Sequence, residues 1–218
     1  VLPEEYSHEL GLAAAEYMQS VVIDISPKKL SASSRAGVGQ RFPVYQFPYR
    51  FSEEGLEHEH GRALSYWGNA GWGEVVLRSK RDNRMDPRLV QASVDSIRDR
   101  WGPDPFPEWL TYVPSLKNPA LVADFAQKLA EALGIPCRSL VKKVRQNEPQ
   151  KKMENSDFQC RNLDGCFEIS GEVEDSPVLL VDDAVDSGWT FAVIAALLRR
   201  EGAGPVYPFA LASTSTGG

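Results

Sequence analysis

The stretch that most constrains the fold is VLLVDDAVDSGWT, residues 178–190. Its four consecutive aliphatic residues do not alternate with polar ones, which predicts a strand buried on both faces, as in a parallel sheet. Asp182 and Asp183 follow this strand, and the turn Asp186-Ser187-Gly188 then opens a helix over residues 188–200. Since parallel strands need crossover connections, the stretch predicts an α/β fold with a parallel sheet and right-handed crossovers.

The turn and the two acids also predict a binding site. Backbone N–H groups at the start of a helix point toward one centre, and the helix dipole favours negative charge there. Ser187 and Thr190 add hydroxyl donors, while Gly188 lets a ligand approach the backbone closely. Asp182 and Asp183 are suited to hold two neighbouring hydroxyls of a sugar. We therefore expect a phosphate monoester of a ribose at this edge of the sheet.

The remaining pattern divides the chain into two parts. Residues 1–85 predict an α+β extension, with a helix at 4–19 and strands at 21–25 and 74–78. Residues 86–218 alternate strands with helices, which predicts a parallel sheet flanked by helices. In that second part the expected strands are 109–113, 137–144, 177–181 and 206–212, and the expected helices are 86–101, 119–133 and 188–200.

Four aliphatic residues, two acids and Asp-Ser-Gly-x-Thr resemble the ribose 5-phosphate signature of type I phosphoribosyltransferases. The resemblance implies a type I phosphoribosyltransferase-like fold for residues 86–218. It also implies the residues that bind the phosphoribosyl or phosphate group: Asp182, Asp183, Asp186, Ser187, Gly188, Trp189 and Thr190.

The resemblance extends upstream. Ser115-Leu116-Lys117 follows the strand at 109–113, where the family has its pyrophosphate-binding loop, and residues 143–167 are similar to the flexible catalytic loop of ComF-type members. This implies that Ser115, Leu116 and Lys117 bind the pyrophosphate of phosphoribosyl pyrophosphate, with Lys151 or Lys152 closing over it. Mg²⁺ is expected to arrive with that substrate, and Asp186 is expected to be the catalytic residue that manages the acceptor's proton. No metal site formed by the protein alone is expected, and the alternating Glu57-His58-Glu59-His60 is interpreted as a solvated loop.

Across residues 20–213 the chain most resembles the C-terminal region of bacterial RecQ-type ATP-dependent DNA helicases. Gly61-Arg62-Ala63-Leu64, Gly71-Trp72-Gly73 and Glu154-Asn155-Ser156 add to the likeness. It implies a helicase core in the same parent chain, whose ATPase motor lies outside this sequence, and it agrees with the missing initiator Met. Three functions stay open: a helicase accessory domain that uses the phosphate site on DNA, an active phosphoribosyltransferase, and a sensor of a phosphoribosyl metabolite.

The charge is uneven along the chain. The net charge is −6, yet the basic segment, residues 138–152, carries six basic residues and one acid. Its residues Arg138, Lys142, Lys143 and Arg145 are expected to contact DNA, single-stranded and weakly bound because the whole chain is acidic. A smaller cluster of Arg78, Lys80, Arg81 and Arg84 is interpreted as solvated.

Composition excludes other classes. No apolar run approaches the ~18 residues of a membrane span, and the acidic start of the sequence does not resemble a signal peptide. Three cysteines without a CxxC pair are expected to be free thiols in a reducing compartment. The chain is therefore expected to be cytoplasmic, without membrane contact.

Overall fold

A computed structural model of the chain describes residues 23–30, 41–47, 55–147 and 156–215. The described residues form seven strands and five helices. The strands are β1 (Ile23–Ile25), β2 (Gly61–Ala63), β3 (Trp109–Tyr112), β4 (Val141–Lys143), β5 (Phe167–Ile169), β6 (Val178–Val185) and β7 (Val206–Ser213). The helices are α1 (Trp72–Arg81), α2 (Arg88–Asp95, continued by a π-helical turn Ser96–Trp101), α3 (Pro119–Leu133), α4 (Ser156–Leu163) and α5 (Trp189–Arg200).

The central sheet has five strands in the order β1-β2-β7-β6-β3. Strands β2, β7, β6 and β3 run parallel, and only β1 is antiparallel to its neighbour. Strands β4 and β5 form a separate antiparallel pair. Because β3, β6 and β7 are parallel, the turns that follow them meet at one edge of the sheet, where ligands of open α/β sheets bind.

Side chains of β6 alternate between two cores. Val178 and Leu180 pack on one face with the apolar side of α5, whereas Leu179 and Val181 pack on the other face with α1, α2 and α3. All four are completely buried. Burial on both faces explains why the strand is aliphatic without alternation, and it fixes the position at which the chain leaves the sheet after residue 185.

The strand predicted at residues 74–78 is wrong, because these residues lie within helix α1. Trp72, Val75, Val76 and Ser79 have helical spacing, and Val76 and Ser79 are buried while Trp72 and Val75 pack against the same core. Val75 and Val76, an apolar pair inside a charged stretch, resembled a short strand, but the buried side chains of this segment recur every three to four residues, as in a helix.

The strand predicted at residues 137–144 is confirmed only in part. Cys137 forms a single parallel bridge with Leu110 of β3, and the chain then leaves the central sheet to pair Val141–Lys143 with Phe167–Ile169.

The predicted helix at residues 4–19 lies outside the described residues. Strand β2 pairs with β7, so the two parts of the chain share one sheet, and the division at residue 85 stays a prediction. No helix among the described residues is long and apolar enough to cross a membrane.

Candidate functional site

An open cleft of about 570 Å³ lies at the carboxyl edge of the sheet. Its floor is the end of β6, and its walls come from α1, from the turn after β3, and from the β4–β5 pair with α4. The residues that line it are Lys80, Val113, Pro114, Ser115, Leu116, Lys117, Lys143, Gln146, Asn147, Leu163, Phe167, Asp182, Asp183 and Thr190.

A smaller pocket of about 30 Å³ adjoins the cleft at the phosphate loop, residues 186–190. Gly188 has φ +81° and begins helix α5, a left-handed conformation that favours glycine. Behind it, α5 is buried along most of its length, so the loop is held on a rigid element. Asp182 and Thr190 line both the pocket and the cleft, which makes the two spaces neighbours.

Two lysine side chains lie beside the acid pair, Asp182 and Asp183. The ammonium of Lys80 on α1 lies 2.9 Å from the Asp183 carboxylate and 5.2 Å from the ring centroid of Trp67. The side chains of Lys80 and Asp183 are 32% and 14% exposed. Lys143 lines the same cleft beside Asp182, with its ammonium 5.6 Å from the centroid of Phe167.

The two carboxyls of the acid pair differ electrostatically. Burial raises the pKa of Asp182 well above its ordinary range, and the neighbouring Asp183 carboxylate raises it further. The backbone N–H of Asp183, which donates to Asp182 at 2.7 Å, and the ammonium groups of Lys80 and Lys143 offset only part of this effect. Burial also lowers the pKa of Lys143. Burial and the neighbouring carboxylate therefore both disfavour the ionised form of Asp182.

The predicted pyrophosphate residues divide between described and undescribed parts of the chain. Ser115, Leu116 and Lys117 lie in the turn after β3 and line the cleft, and the Ser115 hydroxyl accepts a hydrogen bond from the Asn118 N–H at 3.2 Å. Leu116 is 49% exposed. Lys151 and Lys152 lie outside the described residues.

The four basic residues predicted to contact DNA lie in different environments. Arg138 ion-pairs with Glu174, and the Arg145 guanidinium donates to the Asp164 carbonyl at 2.5 Å. Lys142 and Lys143 are neighbours on β4, so their side chains alternate: Lys142 is exposed and Lys143 enters the cleft. Binding of DNA by these residues stays a prediction.

Asp186 lies in the phosphate loop with its side chain exposed. Its carboxylate accepts a hydrogen bond from the Thr214 hydroxyl at 2.9 Å, and the backbone N–H of Thr214 donates to Val185 at 2.8 Å. The turn that follows β7 thus steadies the loop that follows β6. The catalytic role of Asp186 stays a prediction.

The acid pair does not fit a magnesium ion held by the protein. Asp183 already bonds an ammonium, and burial raises the pKa of Asp182, which disfavours the ionised carboxylate that a metal ion needs. Among the described residues, no three His, Cys, Asp or Glu side chains gather as metal ligands. The interpretation of residues 57–60 as fully solvated is wrong for His58, which is 2% exposed and whose pKa burial lowers to about 4.

Comparison with known proteins agrees with this geometry. The phosphoribosyl transferase domain model matches residues 123–207, which include the acid pair and the phosphate loop. The chain has a type I phosphoribosyltransferase-like fold. The predicted fold class is therefore confirmed.

Solved structures resemble the chain at low identity. A purine phosphoribosyltransferase from Pyrococcus horikoshii Ot3 is 22% identical over 58% of this chain and 71% of its own, with a TM-score of 0.38. An adenine phosphoribosyltransferase from Leishmania tarentolae is 17% identical over 59% of this chain and 72% of its own, with a TM-score of 0.37. An allosteric regulatory enzyme of purine biosynthesis is 23% identical over 64% of this chain and 26% of its own, with a TM-score of 0.38. A search of curated proteins finds no significant match.

Two lysines at the site were not predicted from the sequence. Lys80 was interpreted as solvated, but it is half-buried against the acid pair. The aliphatic chain of Lys28 passes over the phosphate loop, with its Cε 3.4 Å from where a Cβ on Gly188 would stand. Helical spacing around Val76 could have indicated a helix that carries Lys80. No local signal connects Lys28 with the loop.

Proposed function

We propose that the cleft and the phosphate loop together bind a phosphoribosyl group and that the domain acts as a phosphoribosyltransferase-type module. The observation that carries the proposal is that the loop pocket and the cleft share Asp182 and Thr190. A 5′-phosphate in the loop therefore brings the attached ribose over the acid pair, and the substituent at C1 toward Ser115–Lys117.

Each part of the ligand has a suitable partner. Backbone N–H groups at the start of α5, with the Ser187 and Thr190 hydroxyls, suit a phosphate dianion. Asp182 and Asp183 line the cleft side by side, so their carboxyl oxygens are suited to hydrogen-bond two neighbouring ribose hydroxyls. If an acceptor bonds to C1 as the pyrophosphate leaves, cations of the cleft such as Lys117 and Lys143 help to offset the charge of the pyrophosphate, and Asp186 takes the acceptor's proton.

Titration by isothermal calorimetry tests the proposal. Ribose 5-phosphate is expected to bind, whereas ribose without the phosphate should bind at least about tenfold more weakly, because it lacks the charge-assisted bonds to the loop. Equal affinity for the two sugars, or no binding of either, contradicts the proposal. Transfer itself is tested with phosphoribosyl pyrophosphate and candidate bases, comparing the wild type with Asp186→Asn.

The sequence likeness to RecQ-type helicases supports a second proposal, in which this module belongs to a helicase and its loop binds a 5′-phosphate of DNA. Deoxyribose has no 2′-hydroxyl, so the acid pair contributes little to such a ligand. Fluorescence anisotropy with 5′-phosphate and 5′-hydroxyl single strands distinguishes the two ligands. A strand that binds equally with and without its 5′-phosphate contradicts DNA binding at the loop.

A further inference from the structure

Three lysines line the cleft around the acid pair. Lys80 comes from α1, Lys117 from the turn after β3 and Lys143 from β4. Lys80 and Lys143 act electrostatically on Asp182, and Lys80 also ion-pairs with Asp183. The described lining thus has more cations than anions, although the whole chain has a net charge of −6. A local excess of positive charge in an acidic protein favours an anionic ligand at this place.

Lys80 is held in position before any ligand arrives. Its ammonium is 2.9 Å from the Asp183 carboxylate and 5.2 Å from the centroid of the Trp67 ring. Its helix is anchored by Val76, which is completely buried. Since contacts on two sides fix the ammonium, little side-chain entropy is lost when it meets a second anion.

A magnesium ion in a site for phosphates commonly binds one or two carboxylates together with phosphate oxygens, and it offsets the charge of both. The Lys80 ammonium already offsets the charge of Asp183. It has three N–H donors, so donors remain for an anion after the bond to Asp183 is made. Lys80 thus supplies the bridge between carboxylate and phosphate that a metal ion would supply, with one positive charge instead of two.

We propose that Lys80 takes the place of a divalent cation in this cleft, so that a ribose 5-phosphate carrying a diphosphate at C1 binds without metal. The inference rests on the proposed function, because it assumes that the cleft takes a phosphoribosyl group. Lys117 and Lys143 bind the outer part of the diphosphate, and Lys80 binds the part nearest the ribose.

Calorimetric titration with phosphoribosyl pyrophosphate, in EDTA and in Mg²⁺, tests the inference. For the wild type we expect the two dissociation constants to agree within about threefold. For Lys80→Met we expect a loss of at least about tenfold in EDTA, the usual effect of deleting a charged hydrogen-bond partner, with partial recovery in Mg²⁺. A wild type whose affinity falls more than about tenfold on adding EDTA overturns the inference, and so does a folded Lys80→Met variant that binds like the wild type in EDTA.

Three controls keep the outcomes distinct. Lys128→Met removes an exposed lysine from α3 and should change neither constant. Circular dichroism shows whether Lys80→Met folds. If it does not fold, Lys80→Arg still tests the inference, because this variant keeps the positive charge and should retain metal-free binding. Ribose 5-phosphate lacks the diphosphate: if it binds while phosphoribosyl pyrophosphate requires Mg²⁺, only the role of Lys80 is overturned. If neither compound binds, the proposed function is overturned as well.

Discussion

The phosphate loop and the basic segment are the two regions predicted to bind anions, and they differ in the donors that they offer. The loop has no lysine or arginine of its own, and it opens a helix that is buried along most of its length, so backbone N–H groups at the helix start are the expected donors. The basic segment has four cations in its described part, but one pairs with Glu174, one bonds a carbonyl, one is exposed and only Lys143 enters the cleft. We therefore expect backbone donors at a helix start, rather than the number of charges in the sequence, to determine where an anion binds.

The largest effect is expected for Gly188→Val. A β-branched residue at φ +81° is strained, although its Cβ would meet the Lys28 Cε at an ordinary contact distance of 3.4 Å. Relief of this strain is expected to turn the N–H groups of the loop away from the ligand. We expect about 100-fold weaker binding of ribose 5-phosphate, equivalent to one or two lost charge-assisted hydrogen bonds. Calorimetry measures the loss.

Gly134→Val is the matched control, since Gly134 also has a positive φ, +74°, at the end of α3 and faces open space. It should lower stability by a similar amount, about 1–2 kcal/mol, and leave the affinity unchanged. If Gly188→Val binds as the wild type does, the loop is not the anion site.

A smaller effect on ligand affinity is expected for Lys142 and Lys143, two neighbouring lysines of the basic segment. Lys143→Met should weaken binding of phosphoribosyl pyrophosphate about tenfold, because the cleft loses one of its cations, whereas Lys142→Met should change it less than about twofold. Both variants lose one charge, so their difference measures position alone. Equal losses would mean that the basic segment acts as a diffuse cationic surface, as expected for DNA.

The parts of the fold that local sequence dictates were predicted well. Helix α3 follows from Asn118-Pro119 at its start and from Gly134, whose left-handed conformation ends it. Strand β6 and helix α5 follow from uninterrupted aliphatic residues before a glycine turn.

What escaped prediction depends on contacts distant in the sequence. Lys80 and Asp183 are 103 residues apart, and the periodicity of α1 does not indicate which acid its lysine will meet. The same holds for Lys28 above Gly188. Which of Lys142 and Lys143 enters the cleft depends on the pairing of Val141–Lys143 with β5 outside the central sheet. The local sequence does not indicate that pairing.

The smallest effect concerns Asp182, which lines both the loop pocket and the cleft that Lys143 enters. Burial raises its pKa in the folded state, so the folded protein binds more protons than the unfolded chain above about pH 4, and stability falls as the pH rises through that raised pKa. Asp182→Asn should remove this slope and raise the free energy of unfolding at neutral pH by about 0.5–2 kcal/mol. Urea denaturation at about pH 5 and about pH 8 measures it. A variant that is less stable than the wild type, with an unchanged slope, would show that Asp182 is ionised and well solvated.

A crystal structure of the protein with ribose 5-phosphate tests the assignment of the site most directly. We expect the phosphate oxygens to lie about 2.7–3.2 Å from backbone nitrogens between Ser187 and Thr190, with the ribose hydroxyls on the acid pair. A sugar phosphate bound instead along Arg138–Arg145, with the loop nitrogens pointing away from it, would contradict the assignment and make the basic segment the anion site.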